Sequence, residues 1–340
     1  MTERLNDACK PAFARHETFH PRYGWFRKAV EAAERNVFGG DSFNAEDATV
    51  ELGVGKNMVH AIRMWGGAAK LLTEQSDAEK RHGQRMVPSL NGLALFGKEH
   101  GVDPYLEFPG TLWVLHWWML RPTSQLPVWW LAFQRFGAVE FSEEDLLHFV
   151  VDEIERAGWR KPSDSSIRKD VSCLLRMYSA TAQGKTSIDD LLDCPMRDLG
   201  LLEPAWGERH RYRFQIGPKP SLPDLVLLYT CLDWMASEQS SSRTASVNRL
   251  AHAVGGPGRA FRLTETDMTS SLERAVAHIE GAQMSSSAGA PTLSCVDAPK
   301  DLASRVLAKY YKSLGVKNTK SFELGEQAAT AKLRPMRSAV

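Results

Sequence analysis

The chain has 340 residues, more than one hydrophobic core usually holds, so two or three domains are expected. Hydrophobic residues make up 43% and charged residues 24%, the composition of an ordinary globular protein. Lys and Arg number 42 against 41 Asp and Glu, so bulk charge names no partner, although a DNA-binding surface needs only a local basic stripe.

Five cysteines (Cys9, Cys173, Cys194, Cys231, Cys295) are scattered with no CxxC pair. This pattern predicts reduced thiols in a cytoplasmic protein and argues against a zinc finger or an iron–sulfur cluster, which need clustered ligands. The opening residues, Met1 to Asp7, contain no apolar run that would read as a secretion signal. The most apolar stretch, Thr111 to Phe133, is interrupted by Arg121-Pro122, Gln125 and Pro127, so it is too broken to span a bilayer. Its aromatics (Trp113, Trp117, Trp118, Trp129, Trp130, Phe133) read as core, with a partner-docking patch as the alternative.

In chain order, a helix is predicted over Asn44 to Leu52, closed by the glycine turn Gly53-Val54-Gly55, with a second helix from Lys56 to about Ala69. On a wheel, Met58, Ile62, Trp65 and Ala69 share one side while Lys56, His60, Arg63 and Lys70 share the other. Such a helix suits a DNA groove, or is simply a solvated surface helix. Ser142-Glu-Glu-Asp145 reads as a capping box before Leu146, Val150 and Ile154. A further helix is predicted from the N-cap cluster at Ser163 to about Ala180, with Ile167, Val171, Leu174 and Tyr178 on one face and Ser165, Lys169, Ser172 and Arg176 on the other. Arg209 to Ile216 alternates basic and apolar residues, a wing-like strand whose Arg209, Arg211 and Arg213 would meet phosphate. Helices are predicted at Pro223–Ala236, Val247–Val254 and Thr264 to about Ile279, with a turn at Gly255 to Gly258. The stretches Ser237 to Ser246, Gln283 to Ala298 and the tail after about Lys320 read as linker or loose loop. The fold class expected is mainly α with small β wings, built from several winged-helix or helix-turn-helix-like modules. The expected division is 1–140, 141–240, 241–320 and a flexible tail, 321–340.

Four N-terminal stretches carry a resemblance: Arg15-His-Glu-Thr-Phe19 with Arg22 and Trp25; Leu52 to Val59; Asp103-Pro-Tyr-Leu-Glu107; and Thr111-Leu-Trp with Leu115-His116. Together they resemble a bacterial family found with DNA sulfur-modification genes, which includes the SspB-like components of single-strand DNA phosphorothioation systems. The likeness is specific over about residues 13 to 135 and looser beyond. It implies a DNA nickase of an anti-phage defence system, with double-stranded DNA, a cysteine desulfurase and an ATP-dependent sulfurtransferase as partners. The alternative is a non-catalytic adaptor that recruits those enzymes. A homodimer is left open, and no membrane partner is expected.

Gly53-Val-Gly-Lys56 lacks the first glycine and the Ser/Thr of a phosphate loop, so neither a nucleotide nor a haem is expected; Lys56 and Asn57 would instead offer a helix N-terminus to a DNA phosphate. For phosphodiester chemistry the predicted catalytic residues are His16, Glu17, Asp103 and Glu107. Asp103 and Glu107, four apart, would ligate Mg or Mn if a helix begins there; otherwise Asp103-Pro104 is an N-cap followed by proline. His16, near Phe13 and Phe19, is either a packing residue or a base. The residues expected to touch DNA are Arg22, Lys56, Asn57, His60, Arg63, Lys169, Arg176, Arg211 and Arg213.

Overall fold

The computed structural model describes residues 4–37, 40–77, 83–179, 194–205, 210–238, 242–287, 289–319 and 322. The fold is mainly α, with three small antiparallel sheets. After α1 (Leu5–Ala8) and a long irregular loop come α2 (Trp25–Asn36), α3 (Ala48–Leu52) and α4 (Lys56–Ala68). The hairpin β1 (Leu72–Asp77) and β2 (Gly83–Pro88) follows, in register from Leu72 opposite Pro88 to Asp77 opposite Gly83, and then α5 (Leu90–Phe96). Gly53 closes α3 in the left-handed region, φ 61°, where a side chain would be strained, so the α3–α4 turn depends on it.

The centre is α6 (Pro109–Leu120), whose residues from Gly110 to Leu120 are all buried. A helix that is apolar all round has no face to offer water and sinks into the core. Gly110 lets α6 approach Tyr310 closely: a Cβ there would lie 2.4 Å from the Tyr310 Oη. The short α7 (Pro127–Trp130) continues as a π-helical turn, Leu131–Arg135. Trp113, Trp117, Trp118, Trp129, Trp130 and Phe133 are each at most 2% exposed, so this stretch is core and the docking-patch expectation is overturned.

Next come β3 (Glu140–Ser142), α8 (Glu143–Arg156), α9 (Asp164–Tyr178), a 3-10 turn (Pro195–Leu199), β4 (Leu202–Pro204) and β5 (Arg211–Phe214), with strand order β3-β5-β4. The predicted capping box is present: the Ser142 hydroxyl accepts from Asp145 N, and the Asp145 carboxylate accepts from Ser142 N. The last group is α10 (Asp224–Ser237), β6 (Thr244–Ser246), α11 (Val247–His252), α12 (Pro257–Phe261), α13 (Glu265–Val276), β7 (Ala282–Ser287), β8 (Ala290–Cys295) and α14 (Pro299–Ser313), with strand order β6-β8-β7. Helix α14 lies along α10.

Several expectations need correction. The stretch from Gln283 to Ala298 is not loose: it is mostly the β7–β8 hairpin, register Ala282 opposite Cys295 to Ser287 opposite Ala290. Ser237 to Ser246 likewise ends in strand β6. In the first group, α3 starts at Ala48, with turns in place of a helix from Asn44. Helix α4 ends at Ala68, and Lys70 leaves its line with φ 57° to reach the Thr123 carbonyl at 3.3 Å. Arg209, Ala180 and the tail beyond Phe322 lie outside the described residues. All five cysteines are free and buried, and among the described residues no helix is long and apolar enough to cross a membrane.

Candidate functional site

Helix α4 is two-faced, as its sequence predicts. Ile62, Trp65 and Ala69 are fully buried, Met58 packs against the core, and Trp65 Nε1 donates to the Phe19 carbonyl at 2.9 Å. Lys56, Asn57 and His60 are exposed and Arg63 is half-buried. Lys56, His60 and Arg63 form no ion pair with an acid among the described residues. The N-cap is Gly55, with no side-chain cap and no acid in the first turn. The first amides of α4 therefore face outward beside a lysine, where the helix dipole favours an anion.

His16 is 1% exposed; its Nε2 lies 2.6 Å from Asp170 Oδ1, and its ring stacks on Trp65 and meets Trp129 edge-on. Asp170 Oδ1 also accepts the Ala14 amide at 2.9 Å. Burial pushes the Asp170 carboxyl above the ordinary carboxylate range, against the pull of His16 and Ala14. His16 Nδ1 is buried with no partner among the described residues. The pair thus ties the N-terminal loop to α9 inside an aromatic box; water has little access to it. Asp170 went unsingled in the sequence, although it sits at helical spacing from Ile167 and Leu174, on the buried side of α9. An acid there must have a buried partner.

Asp103 does not begin a helix. Residues 104–105 form a turn and α6 starts only at Pro109. Asp103 is 1% exposed, and its carboxylate accepts from Glu107 N at 2.7 Å, Phe108 N at 3.2 Å and Thr111 Oγ1 at 2.5 Å. Thr111 Oγ1 lies 2.9 Å from Tyr311 Oη, so Asp103 joins α6 to α14. Its carboxyl is pushed upward mainly by burial. Glu107 and Glu17 are exposed, and no hydrogen bond or ion pair among the described residues joins Asp103 or Glu107 to His16 or Glu17. With Asp103 occupied by three chain donors and Glu107 turned to solvent, the two do not fit a shared divalent ion. No group of three or more His, Cys, Asp or Glu among the described residues is placed to hold a metal.

Lys169 is exposed on α9, while Arg176 is half-buried and donates to the Ser172 carbonyl at 3.3 Å and the Thr18 carbonyl at 2.8 Å. Strand β5 is the central strand of its sheet, between β3 and β4; Arg211 lies 3.6 Å from Glu140, and Arg213 is paired in register with Glu140 and Glu203. Arg22 lies 5.9 Å from the Trp25 ring centroid. Arg197, unremarked in the sequence, donates its Nε to the Arg176 carbonyl at 3.0 Å; the pKa of His20, on the loop before α2, is held down to about 4 by burial first and then by Arg197, Arg176 and Arg22, against the pull of the Pro21 carbonyl.

A family model described as "Protein of unknown function (DUF4007)" matches residues 13–311. A magnesium ion-bound SspB crystal structure is 35% identical, with a TM-score of 0.86 over 97% of this chain and 96% of that one. A second SspB crystal structure is 36% identical, with a TM-score of 0.85 over 97% of each chain. No curated protein matches the chain.

Proposed function

The chain belongs to the DUF4007 family and is SspB-like over nearly its whole length; from that premise we propose that it is a DNA-binding component of a phosphorothioation and anti-phage defence system. The observation that carries DNA binding is the outer face of α4, where Lys56 and Asn57 at the helix start and His60 and Arg63 further along it form no ion pair with an acid among the described residues. The topology supports the same reading. Helix, strand, helix, helix and hairpin, with the first strand beside the last, is the winged-helix pattern, followed from α7 to β5; from α10 to β8 it recurs with one short helix more, α12. The group α2, α3, α4 and β1–β2 repeats it without the first strand. In this reading α4 and α9, each the third helix of its group, hold the recognition position. On this reading the module boundaries fall near the starts of α7 and α10, beside the 140 and 240 expected from the sequence.

Partnership with a cysteine desulfurase and a sulfurtransferase, a cytoplasmic setting and nicking in Mg²⁺ or Mn²⁺ are carried by the family likeness alone. An adaptor role loses its expected docking face, since the tryptophans are core. Lys56→Ala with Arg63→Ala should weaken binding to a short duplex and reduce the slope of log affinity against log salt by about 1.8, at about 0.9 per phosphate contact. Wild-type affinity and slope in that variant would remove α4 from the interface. Relaxation of supercoiled plasmid by purified protein with either metal tests nicking, and its absence beside intact DNA binding would favour the adaptor.

A further inference from the structure

We propose, resting on the DNA-binding reading above, that the tight turn from Arg15 to Phe19 reads base edges in the bound DNA, with Glu17 as a specificity-determining residue.

The Phe19 amide closes the turn by donating to the His16 carbonyl at 2.8 Å. The two residues between them, Glu17 and Thr18, both take left-handed backbone, with φ 50° and 67°. Two successive positive φ values call for glycine or asparagine. A glutamate is strained there, and a β-branched threonine more so. Ala14, just ahead of the turn, is left-handed as well, φ 54°. Two helices hold this strain in place. From α9, Asp170 accepts the Ala14 amide at 2.9 Å and meets the His16 ring at 2.6 Å, and Arg176 donates to the Thr18 carbonyl at 2.8 Å. From α4, Trp65 donates to the Phe19 carbonyl at 2.9 Å.

Tying the N-terminal loop to α9 and α4 does not by itself explain the turn. Those ties use main-chain groups and the His16 ring, and glycine at 17 or 18 would keep every one of them without strain. The side chains at the tip take no part: Arg15, Glu17 and Thr18 are exposed. Arg15 and Glu17 form no ion pair with one another or with any group among the described residues. Arg176 shares the outer side of α9 with Ser165, Lys169 and Ser172, so the tip lies against the end of the side that faces DNA in this reading.

The charges at the tip say which part of a duplex it suits. A phosphate contact needs only a cation, and a carboxylate two residues away would be repelled by the backbone. On a base edge both signs are useful: a carboxylate accepts from the cytosine amino group, and a guanidinium donates in a pair to guanine. Base reading also requires side chains carried on a fixed backbone, which the bonds from α9 and α4 provide.

The test is selection of duplexes from a random-sequence pool by the full chain, as wild type, Glu17→Gln and Glu17→Gly, beside denaturant unfolding and the salt slope of duplex binding. Wild type should prefer particular base pairs, and both variants should lose that preference at one or two of them by about 5- to 150-fold. The salt slope should hold, since no phosphate contact is removed. Glu17→Gly should not lower the denaturant midpoint, because the strain relieved at φ 50° offsets the chain entropy that glycine adds. A residue with a purely structural role would move the midpoint and leave base preference alone. If wild type binds duplex without base preference, or if Glu17→Gln keeps the wild-type preference at every position, the turn does not read bases and DNA binding stands. If wild type binds no duplex at all, the DNA-binding reading falls and base reading falls with it.

Discussion

Helices α4 and α13 hold equivalent places, each running directly into an antiparallel hairpin, yet they treat their first turns in opposite ways. Helix α13 is capped on both sides: the Thr264 hydroxyl accepts from Asp267 N at 3.2 Å and the Asp267 carboxylate accepts from Thr264 N at 3.2 Å. Glu265 adds a second acid to its first turn, and Arg274 is neutralised by Asp224 at 2.7 and 2.8 Å. Helix α4 has a glycine N-cap, a lysine first residue and no acid in that turn. The buried faces are alike, with Ile62 and Trp65 in one and Met268 and Leu272 in the other. What separates the helices is the use of polar groups: α13 satisfies its own amides and charges, whereas α4 leaves them to the outside. A helix that forgoes self-stabilisation at its start is the one fitted to receive an external anion.

The largest way to break the comparison is through the shared logic of the buried faces. Trp65 anchors α4 to the N-terminal loop through Phe19 and walls the His16–Asp170 pair. Trp65→Ala should lower stability by about 3–5 kcal/mol, read as a drop in the denaturant midpoint, and should abolish duplex binding with it. A variant with wild-type stability would show that the cationic face is not held by packing.

A second, smaller effect concerns His116 of α6, which joins α9 to α12. Its Nδ1 lies 2.7 Å from Tyr178 Oη of α9 and its Nε2 lies 2.9 Å from the Ala260 carbonyl of α12. Burial first, with Arg262 adding to it, pushes its pKa down to about 4, against the pull of the Ala260 carbonyl. With the folded pKa below the unfolded one, the unfolded chain binds the proton more readily between them, so stability is present above about pH 6.5 and is lost as pH falls toward 4. The loss approaches about 1.4 kcal/mol per pH unit within that window. His116→Gln should flatten this part of the stability profile; an unchanged slope would assign the acid sensitivity to other groups.

The third effect isolates capping. Thr264→Ala should cost about 1 kcal/mol by removing one side of the α13 box, with no change in duplex affinity. Any loss of DNA binding would mean that α13 also faces the ligand.

Much of this contrast is legible in the chain. The 3.6-residue spacing of Met58, Ile62 and Trp65 against Lys56, His60 and Arg63 is a local pattern, and so is the Ser142–Asp145 box. The β7–β8 hairpin was hidden because Ser285, Ser286 and Ser287 read as loop composition, while their pairing partners supply the order. Asp170 was readable from its place on the apolar side of α9, but its partner His16 lies 154 residues away. The contacts of Arg176 with the Thr18 carbonyl and of Arg197 with the Arg176 carbonyl are beyond any local pattern, since only the fold brings the loop, the end of α9 and the 3-10 turn together. Asp103 shows the opposite failure, in which a suggestive four-residue spacing is dissolved by a turn.

The smallest effect sharpens the comparison most, because its two readouts move in opposite directions. Lys56 stands at the positive end of the α4 dipole, where a cation is unfavourable and an anion is favoured by about 0.3–1 kcal/mol. Lys56→Glu should therefore stabilise the folded chain by about that amount, seen as a slightly higher denaturant midpoint with an unchanged m-value. The same substitution should weaken duplex binding and lower its salt slope by about 0.9 or more. If stability and binding instead fell together, the substitution would be disturbing the packing of α4. If stability rose while binding held, Lys56 would be an ordinary surface lysine, and the difference in charge between α4 and α13 would carry no function.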